Sequence, residues 1–258
     1  MARAYAGRPR RERPPARKPR VRLEDAGGAR TLVVDETFAS FYRPGEIATR
    51  CVWDAIAAPL LWLAPKRRRR ILILGLGGGS VARLARAMAP EAEIVGVELD
   101  AEVVRLARAH FELDRLGLRV ELADAREWLA GQMRAGARAG RFDAVLEDVF
   151  IGRGDAVCKP DWIPQPAHVQ ATALLAQGGV FVSNTLDEHA RVAAGLRASF
   201  ANLVEIQVVD YDNRVLVAGG DGLTGTSLRR AVAQSPILRG SLPILSFRTR
   251  ALAAVRRR

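Results

Sequence analysis

The sequence predicts an α/β protein built on a doubly wound, seven-stranded, mostly parallel sheet, with an antiparallel C-terminal hairpin and a short N-terminal β-hairpin element. Three observations predict it. The stretch ILILGLGGGS, residues 71–80, runs four apolar residues without alternation straight into Gly75, Gly77, Gly78 and Gly79, as a strand buried on both faces does before its turn. Similar apolar runs recur in AEIVGVELD (92–100), LRVELADA (118–125), FDAVLEDVF (142–150) and GGVFVSNT (178–185), separated by stretches of helical spacing, the alternation of a parallel sheet. Last, LVEIQVVDY and NRVLVAGG are joined by a tight Asp-Asn turn, which makes them an antiparallel pair at one sheet edge.

In chain order, residues 1–22 contain RPRRERPPARKPR, which cannot bury enough apolar surface to fold and reads as a flexible basic tail. Residues 23–65 form a small N-terminal element. ARTLVVDETFASFY reads there as two short strands joined near Asp35-Glu36, and a helix starts after Pro44. The run PKRRRR follows as a solvated connector. The α/β domain spans 66–228, with helices near 80–89, 101–113, 125–137 and 165–176, and residues 229–258 form a basic extension. Behind the glycines, SVARLARAM places Val81, Leu84, Ala85 and Met88 on one helical face, so the unit reads strand, glycine loop, helix.

Charge is not spread evenly. The formal net charge of the 258 residues is +12, yet residues 1–22 carry +8, residues 222–258 carry +8, and residues 23–221 carry −4. The basic ends fit loose, salt-sensitive contact with polyanions, without the interleaved aromatics of single-strand binders. No apolar run approaches the roughly 20 residues of a membrane span. The start has no hydrophobic signal core, and two cysteines, Cys51 and Cys158, do not make a disulfide framework, so a cytoplasmic location is expected. His110, His168 and His189 lack ligand spacing, and no metal is expected.

The candidate chemistry lies at strand carboxyl ends, where open parallel sheets bind ligands. Glycines 75, 77, 78 and 79 let a ligand approach the backbone. Glu98 and Asp100 end the second strand roughly 20 residues later, where nucleoside-binding units place an acid for ribose hydroxyls. Asp124 ends the third strand, and Glu147 and Asp148 end the fourth. Each of these acids also suits a helix N-cap, so position alone leaves both roles open.

The series ILILGLGGGS, VGVELDAEVVRLARAHF, RVELADAREWL and RFDAVLEDVF resembles the spermidine synthase (polyamine aminopropyltransferase) family, which shares the class I S-adenosylmethionine-dependent methyltransferase fold, over roughly residues 28–220. Ile73 stands where ordinary class I methyltransferases usually carry an acid two residues before the first glycine. The resemblance implies that Gly75, Gly77, Gly78 and Gly79 line an S-adenosylmethionine or decarboxylated S-adenosylmethionine donor. It implies that Glu98 holds its ribose, that Asp124 and Ala125 meet its adenine, and that Asp148 is the catalytic carboxylate beside an attacking amine. The acceptor is then a small-molecule amine or other nucleophile, and a homodimer is left open.

Three departures bear on that acceptor. The second acid of the family's D-x-x-D segment falls on Ile151, the acid within its glycine loop on Gly78, and a Tyr-His pair on Thr49-Arg50. Glu147, Asp155 and Asp161 are candidate substitutes. Aminopropyl transfer is the leading expectation, methyl transfer to a non-polyamine acceptor the alternative, and a non-catalytic nucleoside- or RNA-associated protein a further one. A nicotinamide enzyme is disfavoured by Asp124 and the terminal hairpin.

Overall fold

The structure is a computed structural model and describes residues 20–136 and 140–250. The expected flexible tail therefore falls outside the described residues up to position 19, as do residues 251–258 and the end of the helix expected to reach 137. Among the described residues no helix is long and apolar enough to cross a membrane.

The N-terminal element has three strands where two were expected: β1 (Val21–Ala26), β2 (Ala29–Val34) and β3 (Thr37–Tyr42), paired antiparallel in that order. Its β1 includes residues read as tail, because cross-strand pairing on β2 satisfies a backbone that composition alone would leave in water. Asp35 and Glu36 close the β2–β3 turn with φ of 48° and 64°, the doubly left-handed geometry of a two-residue hairpin turn, made here without glycine. External contacts hold it. Gly154 N–H donates to the Asp35 carbonyl at 2.9 Å, and Arg153 pairs with Glu36. The sheet buries Leu32 and Tyr42 against Val103, Leu106 and Phe111.

Helix α1 (Val52–Ala57) starts seven residues later than the Pro44 signal suggests. Arg50 takes a φ of 55°. The fully buried Asp54 accepts from Thr49 N at 2.8 Å, Thr49 Oγ1 at 2.8 Å, Arg50 N at 2.9 Å and Ser241 Oγ at 2.6 Å. A buried carboxylate needs such donors, and gathering them bends the chain ahead of the helix. The basic connector is also less free than its composition suggests. Arg68 donates to the carbonyls of Leu61, Leu63 and Met88, and Arg70 pairs with Glu93 at 2.8 Å.

The main layer follows in chain order: β4 (Arg70–Leu74), α2 (Ser80–Met88), β5 (Glu93–Glu98), α3 (Ala101–His110), β6 (Arg119–Leu122), α4 (Ala125–Ala135), β7 (Phe142–Glu147), α5 (Ala167–Ala173), β8 (Leu175–Thr185), α6 (His189–Arg197), β9 (Asn202–Val208), β10 (Arg214–Gly219), α7 (Gly225–Gln234) and β11 (Leu245–Arg250). The sheet order is β11-β9-β10-β8-β7-β4-β5-β6. Strands β4 to β8 are parallel, and β9, β10 and β11 extend one side in antiparallel register. One core fills the face under α1, α2 and α7 and the other the face under α4, α5 and α6.

The sheet thus has eight strands rather than seven. The extra one, LSFRTR, lies in the stretch whose arginines read as a basic extension. Its charge is structural: Glu205 of β9, 1% exposed, is paired by Arg214 at 3.3 Å and by Arg250 of β11. A buried carboxylate facing an open edge recruits a guanidinium, and the strand carrying it docks. The β9–β10 connection spans residues 209–213, longer than the tight turn expected.

Candidate active site

Chain order reverses beside β4: β5 and β6 lie to one side, β7 and β8 to the other. The helices that follow β4 and β7, α2 and α5, lie on opposite faces of the sheet, and a sheet of this kind binds its ligand in the crevice at the carboxyl ends where they part. Gly75 and Asp148 form its floor. Asp148 N–H donates to the Leu74 carbonyl at 2.8 Å. Gly75 has a φ of +82°, and a Cβ there would stand 2.5 Å from the Asp148 carbonyl oxygen, so only glycine lets β4 turn this close to β7.

Glu98 ends β5 facing the same loop. Its carboxylate accepts from Gly77 N at 2.8 Å, Leu99 N at 2.9 Å and Asp100 N at 3.1 Å. Burial raises its pKa and the three backbone donors oppose that rise. Next to it Leu99 is 67% exposed. Asp124 caps α4, its carboxylate accepting from Arg126 N at 2.7 Å, and the buried Ala125 follows. Ala123 N–H donates to the Glu98 carbonyl at 2.9 Å, which puts the ends of β5 and β6 side by side.

Gly78 is closed over rather than open. Its N–H donates to Ser40 Oγ at 2.6 Å, and a Cβ at this position would stand 2.8 Å from the Ser40 Cβ. Strand β3 therefore lies on the glycine loop, and Ser80 Oγ fixes it by bonding both the N–H and the carbonyl of Phe41 at 2.9 Å. The missing loop acid has this physical reason: its side chain would displace β3.

The adjacent acids Glu147 and Asp148 point to opposite faces, as successive strand residues must. Glu147 is 1% exposed and saturated, accepting from Lys159 Nζ at 2.6 Å, Ser183 Oγ at 2.6 Å and Val149 N at 2.7 Å, with His168 Nε2 at 3.2 Å. Burial would raise its pKa, but the Lys159 ammonium and the His168 ring outweigh it and hold the group at about 2. Glu147 is thus an internal ion-pair partner, which removes it as a substitute acceptor carboxylate. Asp155 and Asp161 are exposed.

Asp148 lies on the other face, half-buried, against Trp53 of α1 and Asn184 of β8. Asn184 Nδ2 donates to Asp148 Oδ1 at 2.8 Å, and the Trp53 indole acts on the carboxyl in the same direction, lowering its pKa. Burial, reinforced by Glu147, pushes its pKa up to about 6 despite Lys159, Asn184 and Trp53. Phe38 of β3 meets Trp53 edge-on at 4.8 Å between ring centroids. Ile151, 51% exposed, bridges Cys158 on the loop that reaches the Asp35-Glu36 turn. The exposed Arg50 directs its guanidinium toward Gly240, 3.5 Å from that residue's Cβ position.

Of the residues singled out in the sequence, Gly75, Gly77, Glu98 and Asp148 converge at the crevice, whereas Gly78 lies beneath β3. Gly79, with a φ of +88°, starts α2 against Leu113, and Asp124 and Ala125 lie at the neighbouring strand end. Sequence reasoning missed Ser40, Trp53 and Asn184. Asn184 carried one legible signal, a polar residue at the end of an apolar strand; Ser40 and Trp53 carried none, because they arrive from a separate sheet and helix.

No family model matches the chain. It is 30% identical over 159 residues to the polyamine aminopropyltransferase of Vibrio vulnificus, an alignment covering 58% of this chain and 50% of that protein. The chain spans about half the length of the curated relatives it matches. Human methyltransferase-like protein 13, solved in complex with SAH, is 25% identical with a TM-score of 0.61, over 80% of this chain and 97% of that one. A probable spermidine synthase from Corynebacterium glutamicum gives a TM-score of 0.64 at 18% identity, over 92% of this chain and 95% of that one. The chain has a spermidine synthase-like fold, a form of the class I S-adenosylmethionine-dependent methyltransferase fold.

Proposed function

We propose that this protein is a transferase that moves an alkyl group from an S-adenosylmethionine-type donor to an amine held at Asp148, with aminopropyl transfer as the leading activity. The observation that carries the reading is the Asp148 carboxylate itself, fixed by Asn184 and Trp53 at the reversal of strand order and in backbone contact with the glycine loop. The Vibrio vulnificus relative supports aminopropyl transfer by its name.

The residues present fit such a donor. A carboxylate offers about four acceptor positions, and Glu98 uses three on backbone N–H groups, leaving one on Oε2 for a ribose hydroxyl. Leu99 offers an exposed apolar face for the base, and Asp124 and Ala125 follow the neighbouring strand end. When bound, the donor supplies a carbon activated by the adjoining sulfonium. The amine attacks as the free base, so a carboxylate within reach orients it and accepts its proton. Asp148, with a pKa of about 6, is ionised at neutral pH and still basic enough to take that proton.

Methyl transfer is the second reading, favoured by a specific observation. Ile151 and the closed position at Gly78 leave Asp148 without the further carboxylates that a polycationic acceptor would need. Incubation with each donor, S-adenosylmethionine or its decarboxylated form, across putrescine, spermidine and cadaverine separates the two. Release of methylthioadenosine from the decarboxylated donor is the expected result. S-adenosylhomocysteine from S-adenosylmethionine, with no methylthioadenosine, would replace aminopropyl by methyl transfer.

The donor site has its own test. Glu98→Ala removes one charge-assisted bond to the ribose and also frees the Gly77 N–H, so nucleoside affinity should fall about tenfold or more. Calorimetry with methylthioadenosine measures it, and unchanged affinity would remove Glu98 from the donor site.

A further inference from the structure

We propose that Asn184, oriented by Asn213, is a positioning residue that fixes the Asp148 carboxylate at the floor of the crevice; the proposal rests on the reading of Asp148 as the group that accepts the amine's proton. Asn184 is the next-to-last residue of β8 and is 2% exposed. Strand alternation sends Ser183 to Glu147 on one face and Asn184 to Asp148 on the other. The two neighbours of β7 thus each receive a partner from β8.

The direction of the amide is the point. An ionised carboxylate only accepts, so Asn184 is useful to it with the nitrogen forward and harmful with the oxygen forward. A buried amide cannot rely on water to choose. Asn213, in the loop between β9 and β10, donates its Nδ2–H to Asn184 Oδ1 at 3.0 Å, and Asn184 Nδ2 in turn donates to Asp148 Oδ1 at 2.8 Å. With its oxygen occupied by a donor, the Asn184 amide has one favourable orientation. The relay links the antiparallel hairpin to the site, a role that the fold does not otherwise give to this loop.

The charged groups around Asp148 make the relay consequential. Glu147, from the preceding position of β7, raises its proton affinity, and Lys159, from the loop after β7, lowers it. From α1 comes the neutral Trp53, while the α1 carboxylate Asp54 is engaged by Thr49, Arg50 and Ser241. The glycine loop brings no side chain at Gly75. Asn184 is therefore a neutral donor set against burial and Glu147, and its loss should leave Asp148 protonated at pH values where it is now ionised.

Carbon-13 NMR titration of the 258-residue chain, labelled at its Asp carboxyl carbons and assigned by Asp148→Asn, reads this directly and needs no substrate. In Asn184→Leu, which keeps the volume and removes the donor, the Asp148 midpoint should rise by about one pH unit. In Asn213→Ala, on the half-buried loop, it should rise by less in the same direction. The second variant also serves if Asn184→Leu does not fold. A midpoint that stays put or falls in the folded variants overturns the relay. In transfer assays, the acid limb of the pH profile should move with the midpoint while donor affinity stays unchanged. Full transfer by Asp148→Asn would remove the proposed role of Asp148, and the titration would still decide whether Asn184 positions that carboxylate.

Discussion

Replacing Asp148 by Asn should lower turnover about 100-fold or more at pH 7, since loss of a positioned proton acceptor costs roughly 10²–10⁴-fold. Donor affinity should be little changed, because Glu98 and the glycine loop do not depend on that charge. The fold should not suffer. A carboxylate whose pKa is raised from 3.8 to about 6 on folding contributes stability in its protonated form, and that contribution is lost as pH rises through about 6. At pH 7 the ionised side chain costs on the order of 2–3 kcal/mol, so Asp148→Asn should be as stable as the wild type or more so. In the wild type, transfer at a fixed concentration of free-base amine should rise with pH through about 6 and then level. A flat profile across that range, or a variant with full turnover, would show that the carboxylate takes no proton in the rate-determining step.

The second large effect lies on the opposite face of the same strand. Lys159 and Glu147 have side chains 0% and 1% exposed and meet at 2.6 Å. Lys159→Met leaves the Glu147 carboxylate buried with hydrogen bonds but without its cation, which should cost about 3–5 kcal/mol in chemical denaturation. Adding Glu147→Gln should recover much of the loss, because a neutral amide tolerates the site better than an uncompensated charge. Acidification gives a second signature. With a pKa lowered from 4.5 to about 2, Glu147 contributes stability that is present above 4.5 and disappears as pH falls toward 2. Without Lys159, burial prevails and the sign reverses, so the variant should gain stability relative to the wild type on acidification. A variant that tracks the wild-type pH dependence would mean that His168 and Ser183 alone hold the charge.

These two acids are also where the sequence reaches its limit. Glu147-Asp148 reads as a pair of carboxylates ending a buried strand, and nothing in the local pattern says which is which. Alternation guarantees that they part, but the face each one meets depends on Lys159 and His168, 12 and 21 residues from Glu147, and on Trp53 and Asn184 for Asp148. The same limit explains the eighth strand. LSFRTR is short and one-third charged, and Glu205, buried 45 residues earlier in the chain, is what makes Arg250 worth docking. It explains β1 too, which becomes a strand only when paired along β2.

What the sequence determined by itself is local and periodic. Unalternating apolar runs made β4, β5 and β7 buried parallel strands; the glycines ended β4; and the acids fell at the strand carboxyl ends, because side-chain period and backbone freedom are properties of a few adjacent residues. Tertiary structure alone decided the rest. Strand β3 folds over Gly78, Asn213 orients Asn184, and one of two neighbouring acids is sequestered while the other is exposed to the crevice. Each depends on donors and charges brought from distant segments, and the energies that choose between them, desolvation against a specific partner, exist only after the chain has packed.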